Sequence, residues 1–244
     1  MTTQHSEVVK KVIEDIVIAN RILAARGVVD AFGHVSARHP ENPGRFLLAR
    51  SMAPELVTAD DVLVFEADSE PVAGETRKPY LERFIHGEIY KARPDVNAVV
   101  HSHSPSVIPF GVSSVQLRPI YHMAGFLSGG APVFDINDRF GCCTDMLVRN
   151  RDQGAALAQA LGDRNIALMR GHGFAAVGPS VPVAVYRAVY TETNAALQQQ
   201  AIGLGGSVKY LGDEEALNAD ATNNGVIEKP WELWRAQVLT PPTR

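Results

Sequence analysis

Two histidines two residues apart, His101 and His103 in VVHSHSPS, and a third between glycines, His172 in MRGHGF, are the side chains whose types and spacing could do chemistry. On a strand, residues two apart face the same side. Two imidazoles on one face can hold one divalent ion, although a pair of satisfied polar residues at a strand end has the same spacing. His172 follows the strand-like run IALMR. Its flanking glycines let the backbone approach closely, and a turn at a strand end is where functional groups tend to be displayed. Three neutral imidazoles with one open position form a recurrent catalytic metal arrangement, and the open position accepts substrate oxygens.

The chain has eight histidines in all. His86 lies four residues after Glu82, on the same helical face. It reads as a buried polar group, with metal ligand or a partner of the ligands as the alternatives. His5 and His39 read as surface residues. His34 and His122, beside glycine and aromatic residues, are candidate site residues. Without further context Glu82 reads as a helix-start acid favoured by the dipole.

The elements that must position these residues follow from periodicity. Residues 6–26 predict an amphipathic helix closed at Gly27. HVSARH, FLLARS and VLVFEAD read as strands. Pro79 opens a helix over 80–92 and Pro94 closes it. NAVVHSHS is a strand running into the histidines. A short helix over 105–112, a strand at 131–136, a helix over 150–162, a strand–turn–strand around Gly171 and Gly173, and a long helix over 181–202 follow. The remainder, from about 206, is polar, with Trp231 and Trp234 close to its end. Neither a repeat nor a linker divides the chain, so residues 1–244 are expected to form one α/β domain with that tail as an extension.

The 244 residues are 45% hydrophobic and 20% charged, ordinary for a globular protein. A net charge of −4 and a pI near 6.1 argue against nucleic-acid binding. Apolar stretches fall short of a membrane span. The adjacent Cys142 and Cys143 make no disulfide framework and the start of the chain has no apolar leader, so a cytoplasmic location is expected.

GHVSAR at 33–38, TADDVLVFEAD at 58–68, LERFIHGEIYKARPDVNAVVHSHS at 81–104 and RGHG at 170–173 together resemble the class II aldolase/adducin family, over residues 7–205. The resemblance implies a three-layer α/β/α domain around a mostly antiparallel or mixed sheet, and a homotetramer with interfacial active sites. It implies metal ligation by His101, His103 and His172 and a catalytic role for Glu82. One divalent ion per subunit follows, manganese or magnesium favoured, with zinc, iron or cobalt as alternatives.

The chain departs from the sugar-phosphate aldolases of that family where they bind phosphate. His34 stands at an asparagine position, Arg50–Ser51–Met52 replaces a Ser-Gly pair, and Tyr80 and Leu81 replace a Ser-Ser pair. Phosphate wants many converging N–H and O–H donors; tyrosine and leucine offer an apolar wall instead. The pattern is similar to a branch that decarboxylates hydroxylated aromatic or pyridine carboxylates. A small anionic aromatic substrate is therefore expected, held by Arg50, Ser51, Tyr80, Tyr121 and Arg170. Glu82 is expected as proton donor, assisted by His34 or by His122, which falls where aldolases present a neighbouring subunit's tyrosine. An aldolase or epimerase is the alternative, and a non-catalytic interaction domain like the adducin head is the reading from another class.

Overall fold

The computed structural model describes residues 6–240; His5, expected at the surface, lies outside them. Helix α1 (Glu7–Ala25) starts at Ser6, whose hydroxyl accepts the Val9 N–H, and stops where Gly27 takes a left-handed conformation. Strands β1 (His34–Arg38), β2 (Phe46–Ala49) and β3 (Val62–Phe65) form a meander. Helix α2 (Arg83–Ala92) leads into β4 (Ala98–Ser102) and the short α3 (Ile108–Val112). Then come β5 (Val133–Phe134), α4 (Asn137–Phe140), α5 (Arg151–Leu161), β6 (Ile166–Met169), β7 (Gly173–Gly178) and α6 (Val181–Gly203). Two helices finish the described chain, α7 (Asp213–Asn224) and α8 (Glu228–Leu239).

The seven strands form one mixed sheet in the order β3-β2-β1-β4-β7-β6-β5, antiparallel except for β5 against β6. Alternation along the strands builds two cores. Val35, Ala37, Leu47, Ala98 and Val100 face α1, α6 and α8, whereas Phe46, Leu48, Leu63 and Val99 face α2 and α5. The result is the expected α/β/α layering. The central strand β4 lies between β1 and β7, with His34 opposite His101 and Ser102 opposite Phe174. His34, Ser36, Val99 and His101 thus share the α2 side of the sheet.

Two expectations shift. Helix α2 begins at Arg83, not at residue 80, and Glu82 occupies its N-cap without using its carboxylate as a cap. The tail is mostly helical and folded against the body, with Trp231 and Trp234 buried in the core shared by α1 and α6.

Candidate metal centre and active site

Strand β4 carries His101 at its end, and His103 follows one residue beyond the strand. The expected shared strand face holds for His101 only; His103 reaches the same point from the outgoing loop. His172 sits in the β6–β7 turn, where Gly171 has φ 61°. The three Nε2 atoms converge, with His103 Nε2 3.1 Å from that of His101 and 3.0 Å from that of His172.

The opposite ring nitrogens explain what these atoms are. His101 Nδ1 lies 3.1 Å from the Phe174 carbonyl and His172 Nδ1 2.9 Å from the Met146 carbonyl. A carbonyl only accepts, so both Nδ1 atoms carry the proton and both Nε2 atoms present lone pairs. Converging lone pairs repel one another unless a cation sits between them. Donors about 2.1 Å from one ion stand about 3.0 Å apart at right angles and about 3.4 Å apart at the tetrahedral angle. The donor set therefore fits a divalent ion. Glu82 completes it, since one ligand atom from each of Glu82, His101, His103 and His172 lies within 4.8 Å of the others.

Glu82 is 7% exposed. Its Oε2 is 3.4 Å from Nε2 of both His101 and His172, and its Oε1 accepts the Val148 N–H at 3.0 Å. Burial pushes the carboxyl up, but its close contacts with His101 and His172 outweigh burial and hold the group below the carboxylate range. Burial, with His101 and His172 adding to it, pushes His103 down to about 4, which keeps it neutral as ligation requires.

The loop 141–149 ties both ends of this arrangement. Val148 orients Glu82, and Met146, a non-glycine residue at φ 70°, turns its carbonyl to His172. Backbone in that region is costly and clusters at functional sites.

Beside the ligands opens a cavity of about 570 Å³. Phe32, Met52, Leu81 and Leu147 supply apolar walls, while His34, Ser51, Tyr80 and Glu82 supply polar groups. The Tyr80 hydroxyl donates to the Met52 carbonyl, and burial pushes the phenol up to about 12. Its ring lies 4.5 Å from that of His34.

Of the residues predicted for the site, His34, Ser51, Tyr80, Glu82 and the three histidines come together in one chain. Arg50 is held 2.7 Å from Asp61, Arg170 is paired with Asp135, and neither lines the cavity. Tyr121 and His122 stand at the start of a short 3-10 helix, His122–Leu127, kinked at Ala124, where the Asn223 side chain donates to the His122 carbonyl at 2.8 Å. They do not line this cavity either. Met52, read from the sequence as part of the Arg50–Ser51–Met52 segment, lines the cavity, whereas Phe32, Leu147 and the Val148 N–H have no counterpart in the sequence reading. They reach the site through loops, and no local pattern marks them.

Fold and site define a member of a known class. The chain belongs to the family described as Class II Aldolase and Adducin N-terminal domain, which matches residues 14–199. It is 38% identical to Decarboxylase tropJ of Talaromyces stipitatus, over 90% of this chain and 91% of that one. It is 36% identical to the 3,4-dihydroxyphthalate decarboxylase of Arthrobacter keyseri, over 83% of each. Among solved structures, an aldolase II superfamily protein from Pseudomonas syringae superposes with a TM-score of 0.80 at 21% identity, covering 96% of this chain and 94% of that one. The L-fuculose 1-phosphate aldolase from Glaciozyma antarctica gives 0.76 at 22% identity, covering 98% and 93%. The structural likenesses establish the fold; the curated relatives, matched across most of both chains, mark the protein as a carbon–carbon lyase of the carboxy-lyase kind.

Proposed function

We propose that the chain is a divalent-metal-dependent, non-oxidative decarboxylase of a hydroxylated aromatic or pyridine carboxylic acid. The observation that carries this reading is a complete His101–His103–His172–Glu82 donor set opening onto a cavity walled by Tyr80, Leu81, Met52 and Phe32. A flat ring fits such walls, and a phosphate finds few donors in them. The names of the relatives at 36% and 38% identity support the same reaction class.

His101, His103 and His172 would hold the ion, and manganese or magnesium is the proposed metal. That choice rests on the likeness to the decarboxylase branch, and zinc, iron or cobalt would suit the same imidazoles. Bound there, the ion supplies electrostatic stabilisation of negative charge developing on the substrate's hydroxyl oxygen. The chain's own groups account for the proton. Glu82 begins as a carboxylate and takes the proton of the ring hydroxyl. It then delivers that proton to the carboxylate-bearing ring carbon. The carbon–carboxylate bond breaks, its electron pair returns to the ring, and CO2 leaves. One proton from solvent restores the hydroxyl. The Val148 N–H keeps Oε1 fixed so that Oε2 is the atom that moves the proton.

The functional unit we infer is the whole chain, 1–244, as a cytoplasmic homotetramer. Tyr121 and His122 would serve a neighbouring subunit's site, and Arg50 and Arg170 would act at its rim after exchanging their carboxylate partners. No helix among the described residues is long and apolar enough to cross a membrane. The test is CO2 release by purified protein with Mn(II) and a panel of ortho-hydroxy aromatic and pyridine diacids. Release from at least one is expected. Turnover of a sugar phosphate with no CO2 from any diacid would overturn the reading.

A further inference from the structure

A hydrogen-bonded chain of four side chains runs from the cavity wall into the core between α2 and the sheet. His34 Nδ1 is 2.7 Å from His86 Nε2, His86 Nδ1 is 2.6 Å from Ser36 Oγ, and Ser36 Oγ is 2.7 Å from the Tyr90 hydroxyl. His34 is 4% exposed, and Ser36 and His86 are fully buried. Periodicity makes the chain possible. His34 and Ser36 stand two apart on β1, and His86 and Tyr90 stand four apart on α2, so each pair shares one face. His34 lines the cavity, and among the described residues its Nε2 has no hydrogen-bond partner.

The direction of this chain decides what His34 offers there. Among the described residues the buried Tyr90 hydroxyl has one hydrogen-bond partner, Ser36 Oγ, and a buried hydroxyl hydrogen without an acceptor is costly. The phenol hydrogen is then left to point at Ser36. Ser36, having accepted, donates its own hydrogen to His86 Nδ1. His86 must carry its proton on Nε2 and donates it to His34 Nδ1. His34 in turn is protonated on Nε2, the nitrogen free of protein partners. The chain is a poor proton supply. Sending one proton outward would leave a phenolate on Tyr90, whose phenol burial pushes far up. Its use is orientation.

We propose that His86 is a positioning residue which, through Ser36 and Tyr90, locks His34 as the Nε2–H tautomer, a neutral hydrogen-bond donor to an anionic oxygen of the substrate. The substrate part of this inference rests on the decarboxylase reading; the tautomer part does not. A neutral donor beside Tyr80 favours a planar acid whose carboxylate or hydroxyl oxygen meets His34 while its ring lies on the tyrosine.

The test has two arms. Histidine-15N spectra of protein loaded with diamagnetic zinc, assigned with a His34→Gln variant, read the tautomer without any substrate. The native protein is expected to show His34 protonated on Nε2, and Ser36→Ala, which leaves little more than a missing hydroxyl, to show a tautomer mixture. A native His34 protonated on Nδ1, or one unchanged in Ser36→Ala, overturns the lock. In the second arm, KM for the turned-over acid is expected to rise about tenfold in His86→Leu and Ser36→Ala, the size of one lost hydrogen bond to a charged group. The metal content should stay full and kcat should change far less. His86→Gln, which keeps a donor toward His34, should recover most of the loss. A fall in melting temperature with KM unchanged would mean a structural role only. If the native protein releases no CO2 the decarboxylase reading fails, and the spectra still decide the lock.

Discussion

Glu82 stands where two demands meet. It is the N-cap of α2, yet its carboxylate leaves the helix uncapped and turns to His101, His172 and the Val148 N–H. A residue kept for stability would cap. Removing only its proton chemistry therefore separates function from fold. Glu82→Gln keeps the size and the Val148 contact, so metal content measured by elemental analysis is expected to remain near native, with CO2 release lowered about 10²- to 10⁴-fold, the usual worth of a positioned acid–base group. Equal loss of metal and activity would make Glu82 a ligand only. His172→Ala should instead empty the site. The triad was legible in the sequence because each histidine sits in a local context, a strand end or a glycine turn, that marks it. What the sequence does not show is how Arg50 and Arg170, cations suited to an anionic substrate, are paired in the fold. Their partners, Asp61 and Asp135, lie 11 and 35 residues away, and only the folded chain brings them together.

At the scale of elements, β4 and β7 must run close together to bring His101 and His103 to His172. Gly173 is what permits it. A Cβ there would stand 1.9 Å from the Ser102 carbonyl oxygen and 3.0 Å from His103 Cα. Gly173→Ala is expected to push the strand ends apart, lowering both melting temperature and metal affinity. Gly203→Ala, which meets nothing within 4 Å near the end of α6, should leave metal affinity intact. Equal behaviour of the two variants in a metal titration would remove the close approach as the reason for glycine.

The loop between β3 and α2 depends on charge instead. Glu75 is held down to about 2, first by hydrogen bonding from the Arg77 side chain, with burial opposing. Arg77 also donates to the Asp60 carbonyl, tying the loop to the turn at 59–61. A carboxyl depressed in the fold stabilises it above its ordinary value of 4.5 and loses that contribution as pH falls toward 2. The melting-temperature gap between native protein and Glu75→Gln should thus be widest above pH 4.5 and close toward pH 2. A gap independent of pH would count against the pair. The strands and long helices were legible because burial imposes period 2 or 3.6 on them. Helix α7 was not: among its residues only Ala216 and Asn223 are buried, too few to leave a stripe.

For the whole molecule the decisive relation is between the cavity and the Tyr121–His122 turn, which one chain does not bring together. Phe32 and Leu81, on the cavity wall, remain 65% and 47% exposed, as expected if another subunit covers the mouth. A heterologous ring would let His122 of one copy serve Glu82 of the next. The consequence is complementation. Glu82→Gln and His122→Ala proteins are each expected to be weak catalysts. A mixed ring holds some interfaces where native Glu82 faces native His122. Random assembly from equal amounts makes about a quarter of all interfaces of that kind. Co-refolded or co-expressed mixtures should therefore regain about a quarter of native CO2 release. Separately assembled rings, mixed without exchange, should regain none, which controls for additive residual activity. A fully active His122→Ala protein would remove His122 from the reaction. Two weak variants that never complement would return both residues to a single chain, and would require the 122–127 turn to move against α7, whose Asn223 now holds it.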